Sequence, residues 1–409
     1  MDRKENDDGI ALAARGYQLQ LRGRLAEAIG TYQEALALAS ERADVWYNLA
    51  SACRHLGRLD EAIAAYRRAL DLAPDDPAGW NNIGLALHDG GDLEQAIAAF
   101  EQAQRLDPNV PAALVNLGNA LRDSGRRDAA VDAYGQAITC DSGLVAAYYN
   151  LHAALYRQAD PRPAEQALQQ ALELDPKHES ARFHLAALRQ LHQGDDDGLL
   201  ASLPPHCDFL VDSCQFVVGH RCAATELCSD TFEMLRVAFA AVRDDGLVIE
   251  LGVRRGTSIR FIAGLCPATP VHGFDAFEGL PEHWGQQRQG LYSTDGVLPE
   301  VPKQVTLYPG WFADTLPTFV EHHDEPIRFL NVDCDLYSSA QTALELLGPQ
   351  IVPGSVLVFD EYLCNPGWRE DEHRAFTETA TVFGWRYDYI GFSLFTKQAA
   401  ICITAVGGG

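Results

Sequence analysis

Along the first half of the chain, small and large apolar residues recur with a fixed step of 34 positions. Ala28, Ala62, Ala96, Ala130 and Ala164 mark one phase, Tyr32, Tyr66, Phe100, Tyr134 and Leu168 the next, and Ala35, Ala69, Ala103, Ala137 and Ala171 a third. Offsets of four and then three residues put these on one helix face, in the order small, large, small. Trp46, Trp80, Leu114 and Tyr148 share another register, as do Gly16, Ala50, Gly84 and Gly118, while Pro74, Pro108 and Pro176 close their units. The pattern predicts two antiparallel helices per unit. Small residues let the helices approach, large ones fill the groove between them, and proline stops the second helix. Five units cover about residues 9–176, and 179–193 reads as a capping helix with a polar outer face. In the last unit the pattern weakens, with His152 at the small position and Pro161 and Pro163 in the turn.

After Gly194-Asp195-Asp196-Asp197-Gly198 the period changes. This predicts a boundary near residue 195, giving a repeat array over 9–195 and a second domain over 196–409. A helix at about 230–242 leads into the short apolar run Leu247–Leu251. Further strands are expected near 270–274, 304–308, 327–332 and 355–359, then at about 385–395 and 399–405. Strands alternating with helices argue a parallel sheet covered on both faces, ending in an antiparallel hairpin.

Composition narrows the function. The formal charge of −25 and pI of about 4.8 repel phosphate backbones and anionic headgroups, which argues against a nucleic-acid partner. The N-terminal residues lack the apolar core of a secretory leader, and no run of about 18 apolar residues exists, so a cytoplasmic protein without a membrane span is expected. Ten cysteines in 409 residues, mostly single in apolar runs, read as reduced thiols. His206, Cys207, Cys214, His220, Cys222 and Cys228 form one cluster in sequence, but without a C-x-x-C pair they make a weak zinc motif.

The chemistry gathers where strands end. Glu250-Leu251-Gly252-Val253-Arg254-Arg255-Gly256-Thr257-Ser258 reads as strand, glycine turn and helix start, a setting that brings backbone N–H groups to an anionic ligand. Asp275 follows Gly256 by 19 residues, near the spacing at which a carboxylate takes two ribose hydroxyls. Asp333 ends the fourth strand and Asp360-Glu361 the fifth; neighbouring ends of a parallel sheet converge, so these three are candidate oxygen ligands for Mg²⁺ or Mn²⁺. They are equally readable as solvated loop residues or helix caps.

Two resemblances cover most of the chain. Residues 9–176 resemble tetratricopeptide repeats, which implies a right-handed α-solenoid with a concave face lined by the first helix of each pair. Asn48, Asn82, Asn116 and Asn150 share one position on that face, a candidate amide ladder for a peptide backbone. Residues 246–377 resemble class I S-adenosylmethionine-dependent methyltransferases of the macrocin O-methyltransferase type. The blocks that carry this begin at Glu250, Phe274, Gly310, Asp333 and Phe359. The resemblance implies a Rossmann-like α/β domain with seven strands and a divalent ion at Asp333, Asp360 and Glu361, where the family commonly has a second Asp in place of Glu361. It also implies S-adenosylmethionine beside Glu250, Gly252, Arg255, Gly256, Thr257, Ser258 and Asp275. Trp311 is expected to stack near the adenine or the acceptor, or to be core. For the acceptor proton His283 is one candidate base, though a surface-loop histidine is the commoner reading of that position, and His373 is another; Asp333 would aid through the metal, and residues 283–303 read as a lid. The expected reaction is O-methylation of a sugar or glycosylated small molecule. Two alternatives are a peptide or protein acceptor recruited by the groove and a non-catalytic scaffold; self-association is left open.

Overall fold

A computed structural model describes residues 3–407 apart from 285, 286, 288 and 295. Five helical hairpins follow one another: Arg3–Leu21 with Leu25–Leu38, Ala43–His55 with Leu59–Leu72, Pro77–Asp89 with Leu93–Leu106, Pro111–Asp123 with Arg127–Cys140, and Val145–Leu155 with Arg162–Leu174. The helix Glu179–Gln193 comes next. The five alanines of the first phase are all completely buried. A methyl group on Gly16, Gly84 or Gly118 would fall 2.5 to 2.7 Å from the ring of Tyr32, Phe100 or Tyr134, so the small and large phases form one contact repeated along the array. Gly23, Gly57, Gly91 and Gly125 add a phase of their own: each turns its hairpin at a φ of 72 to 78°, where an L side chain is strained.

Internal contacts divide the chain into two compact units, Met1–Asn150 and Leu151–Gly409. The division falls inside the first helix of the fifth hairpin, well before the change of period at 195. The weakened fifth repeat has a physical reason for joining the second unit. His152 packs against the rings of His184 and Phe395, Tyr156 against Phe395, and Gln158 accepts a hydrogen bond from the backbone N–H of Leu227. Those side chains spend the repeat's register on contacts outside the repeat.

The second unit holds an eight-stranded sheet. Its strands are β1 (Glu226–Leu227), β2 (Leu247–Leu251), β3 (Val271–Asp275), β4 (Val305–Pro309), β5 (Ile327–Val332), β6 (Ile351–Phe359), β7 (Arg386–Phe392) and β8 (Ala399–Ala405), in the order β1-β7-β8-β6-β5-β2-β3-β4. β8 pairs antiparallel with β6 and β7, and the other pairings are parallel. The two-residue β1 is one strand more than expected. Alternation along the strands serves two layers. Val248, Val271, Phe329, Val356 and Val358 pack with Met234, Leu235, Ile259 and Ile262 of two helices. Phe274 and Phe359, on the opposite face, meet Phe319 and Phe376 of two others. Among the described residues no helix is long and apolar enough to cross a membrane, and all ten cysteines are free thiols.

Replacing Gly118 by Leu is expected to force the Tyr134 ring aside and lower stability by about 1–3 kcal/mol. A fall in the urea midpoint of the full chain measures it; an unchanged midpoint would mean that the small–large contact does not hold the repeats together.

Candidate active site

The carboxyl ends of β2, β3, β4, β5 and β6 open into one cavity of about 530 Å³. Gly252, Asp275, Gly310, Asp333 and Asp360 each follow or end one of these strands, and all five line it. Crevices outside the carboxyl ends of parallel strands are the usual ligand sites of such sheets. Gly252 is there by necessity. At a φ of 88° its position would put a Cβ 1.6 Å from the carbonyl oxygen of Asp333, so only glycine lets the β2 and β5 ends approach this closely.

Asp275 is fixed by its own neighbourhood: one carboxylate oxygen accepts from the backbone N–H of Arg254 at 2.7 Å and the other from that of Phe277 at 2.5 Å. Each oxygen keeps a lone pair for the cavity. Trp311 precedes the helix Phe312–His322, is 37% exposed and lines the cavity, so it is a wall residue and not part of the core. Arg254 supplies a cation. Its φ of 48° turns it into the cavity wall, where its guanidinium lies over the Tyr292 ring with 4.9 Å to the centroid. Arg255, the arginine expected at the donor, is outside the described wall.

Glu250 is buried within β2, beneath the cavity, accepting from Asn331 Nδ2 at 2.8 Å. Burial, with Asp275 and Asp360 nearby, pushes its carboxyl up to about 8. Gly256 caps the helix Thr257–Leu265 in a left-handed conformation. Gly256, Thr257 and Ser258 support the turn without lining the described cavity.

The acidic residues do come together. Asp333, Asp335, Asp360 and Glu361 all line the cavity. Burial, followed by the charges of Asp360 and Asp335, raises Asp333 well above the usual carboxylate range. Burial and then Glu361 and Asp360 push Asp335 up to about 7, and burial and then Glu361 push Asp360 up to about 6. Asp360 also accepts from Gln398 Nε2. Glu361 is already spoken for: Lys397 Nζ lies 3.1 Å from its carboxylate, and Asn365 donates to it. Asp333, Asp360 and Glu361 do not form a ready-made triad. Among the described residues the three ligand groups lying mutually within 4.8 Å are Glu179, His206 and Cys207, an ion pair of exposed side chains with a buried thiol beside it. The other members of the sequence cluster are elsewhere: Cys214 and Cys228 are buried, and His220 stacks on Phe216.

His283 is exposed and outside the described cavity wall, while its neighbours reach inward. Glu282 accepts from Ser338 Oγ at 2.6 Å and Trp284 donates to Asp371 at 3.2 Å. His373 packs edge-on against Phe216 and Trp368, and burial holds it down at about 4, so it stays neutral away from the cavity. Gly285, Gln286, Arg288 and Asp295 of the expected lid lie outside the described residues. The segment around them is necked by backbone bonds between Leu280 and Leu291 and between Gly290 and Leu280, both 2.9 Å.

In the array, the amide row has neighbours of its own. Asn82 donates to the Tyr47 hydroxyl and Asn116 Nδ2 to Asn81 Oδ1 at 2.9 Å, each joining successive repeats, while Asn48 and Asn150 are half-buried at the same register. Arg54 pairs with Asp89 at 2.7 Å and His88 with Asp123 at 2.9 Å in the same manner.

Comparison with known proteins agrees with both halves. Residues 249–362 match a methyltransferase domain family, and residues 14–77 and 81–144 a tetratricopeptide repeat family. The chain therefore joins tetratricopeptide repeats to a methyltransferase domain. Among curated relatives, it is 34% identical over 142 residues to the 8-demethyl-8-(2,3-dimethoxy-alpha-L-rhamnosyl)-tetracenomycin-C 4'-O-methyltransferase of Streptomyces olivaceus, covering 29% of this chain and 53% of that one. It is 30% identical over 165 residues to the mycinamicin III 3''-O-methyltransferase of Micromonospora griseorubida, covering 33% and 62%. It is 29% identical over 156 residues to the demethyldecarbamoylnovobiocin O-methyltransferase of Streptomyces niveus, covering 32% and 58%. The chain thus spans a little over half the length of the curated relatives it matches.

Raised carboxyl groups make a prediction with a definite sign. Between ordinary carboxylate values and about 8, the folded chain holds protons on Asp360, Asp335 and Glu250 that the unfolded chain has released, so stability falls as pH rises. In EDTA the thermal midpoint is expected to drop from about pH 5 to about pH 8, less so in Asp360→Asn, and Mg²⁺ is expected to recover part of the loss at the higher pH. A drop of equal size in the variant would mean that Asp360 does not hold a raised proton in the folded chain.

Proposed function

We propose that the second unit is an S-adenosylmethionine-dependent O-methyltransferase acting on a hydroxyl of a sugar or glycosylated small molecule, with a divalent cation at the acidic cluster. The observation that carries this is the single cavity in which Gly252, Asp275 and Trp311 stand on one side and Asp333, Asp335 and Asp360 on the other. Asp275 takes the ribose hydroxyls, Trp311 offers a ring face, and Arg254 offers a cation for the donor's carboxylate. The donor set fits a hard cation: Asp333 and Asp360 are buried carboxylates held above the usual range by burial and by neighbouring acidic charge, Asp360 in the case of Asp333 and Glu361 in the case of Asp360. Glu361, paired with Lys397, is left in a supporting place. Bound there, Mg²⁺ or Mn²⁺ would lower the pKa of an acceptor hydroxyl.

The transfer is an in-line displacement, so the protein's task is to orient acceptor oxygen and sulfonium methyl and to receive one proton. The oxygen–carbon bond forms as the carbon–sulfur bond breaks. The proton leaves to a carboxylate oxygen of Asp335, which stands in the cavity wall near neutrality, a role for which the exposed His283 is poorly placed. The names of the relatives, all O-methyltransferases and one of them named for a rhamnosyl-bearing compound, support a small-molecule acceptor. The hydrogen bonds that Asn82 and Asn116 spend inside the array weigh against an amide ladder held open for a peptide acceptor.

Two variants test the reading. Asp360→Ala is expected to abolish methyl transfer to a glycoside acceptor while S-adenosylmethionine still binds, and full turnover in EDTA would remove the cation from the account. Asp275→Ala is expected to weaken donor binding by about 1–3 kcal/mol in calorimetry, the size of one or two lost hydrogen bonds, and unchanged affinity would take Asp275 out of the ribose role.

A further inference from the structure

β5 and β6 lie side by side, in register at Val332 and Phe359, and their ladder ends with the bond from Asp360 N–H to the Val332 carbonyl at 3.0 Å. Beyond that point the two strand ends become loops that carry Asp333 and Asp335 on one side and Asp360 and Glu361 on the other. Like charges push such loops apart, and no ladder bond remains to oppose it. One side chain spans them. Glu372, the first residue of the helix Glu372–Phe383, is completely buried. Its Oε1 accepts from the backbone N–H of Cys334 at 3.4 Å and its Oε2 from that of Glu361 at 3.2 Å.

We infer that Glu372 is a positioning residue that sets the two acidic loops of the cavity at a fixed separation. The choice of residue makes sense only on geometric grounds. A buried carboxylate beside four others costs stability, and an apolar side chain of the same volume would fill the space more cheaply. What an apolar residue lacks is a pair of acceptors at one end, each facing a different N–H. Glutamine keeps the shape but turns an amide N–H₂ towards one of the two donors, so it serves one loop and repels the other. The inference rests on the proposed function only for what the fixed separation is for; the separation itself is a property of the unliganded chain.

The test uses the full chain in two measurements. Without ligand, Glu372→Gln is expected to speed hydrogen exchange by at least about tenfold at the Cys334 and Glu361 amides while the amides within β2 and β5 keep wild-type rates. Mn²⁺ titration followed by electron paramagnetic resonance is expected to show affinity weakened at least about fivefold, with S-adenosylmethionine affinity within about twofold of wild type. Should Glu372→Gln fold poorly, Glu372→Asp keeps the carboxyl group but falls one methylene short, and is expected to speed exchange at one of the two amides. Wild-type exchange rates at both amides in either folded variant would overturn the inference. If the wild-type chain binds no Mn²⁺, the cation reading fails while the exchange comparison still decides the role of Glu372.

Discussion

Carboxylates crowd the carboxyl edge of this sheet, and holding them there is the constraint on which the second unit depends. Asp333, Asp335, Asp360, Glu361 and Glu372 sit within electrostatic reach of one another, against the single positive charges of Arg254 and Lys397. Water does not screen them fully, since burial is the first cause of the upward displacement of Asp333, Asp335, Asp360 and Glu372. Such an arrangement is unfavourable for folding by itself and persists because the surrounding structure over-determines it. The glycine at 252 draws β2 against the Asp333 carbonyl, Lys397 neutralises Glu361, and the apolar layers on both faces of the sheet fix where the strands end. The energy stored in the crowding is what a bound cation would release.

The same logic separates the two halves of the cavity. On the β2, β3 and β4 side Asp275 is already held in place: it accepts from two backbone N–H groups, and the turn after β2 is closed by the helix that Gly256 caps. That side is preorganised for a neutral or anionic ligand with hydroxyls. On the β5 and β6 side the groups are in excess of their partners. In the proposed reaction, a rigid donor side next to a side held under charge strain would let one protein orient a sulfonium methyl and still adjust to different alcohols.

How much of this was legible in the sequence differs by element. The repeats were legible because each hairpin reuses one contact, Gly or Ala under an aromatic ring, so the register repeats with the chemistry. The strand ends were legible as the carboxyl edge of a sheet because each buried apolar run stops at Asp; that the carboxylates gather there was not, since in the sequence they read equally well as loop residues or helix caps. That Arg254 rather than Arg255 lines the cavity was not legible, because a positive φ at 254 decides it and no side-chain pattern announces that. Glu372 was missed because it stands in the charged run Arg369-Glu370-Asp371-Glu372, while its burial is decided by backbone amides 11 and 38 residues away, at the ends of β6 and β5. The fifth repeat shows the reverse error. Its pattern looked merely worn, whereas His152 and Tyr156 serve contacts with Phe395 that a repeat register cannot reveal.

The central claim is that the cavity at the carboxyl edge is a donor site joined to a cation site. Calorimetric titration of S-adenosylmethionine into the full chain, in EDTA and again in Mg²⁺, tests it most directly. The account predicts one donor bound per chain in both conditions, with a separate saturable Mg²⁺ event that is lost in Asp333→Asn; absence of donor binding in either buffer would contradict it.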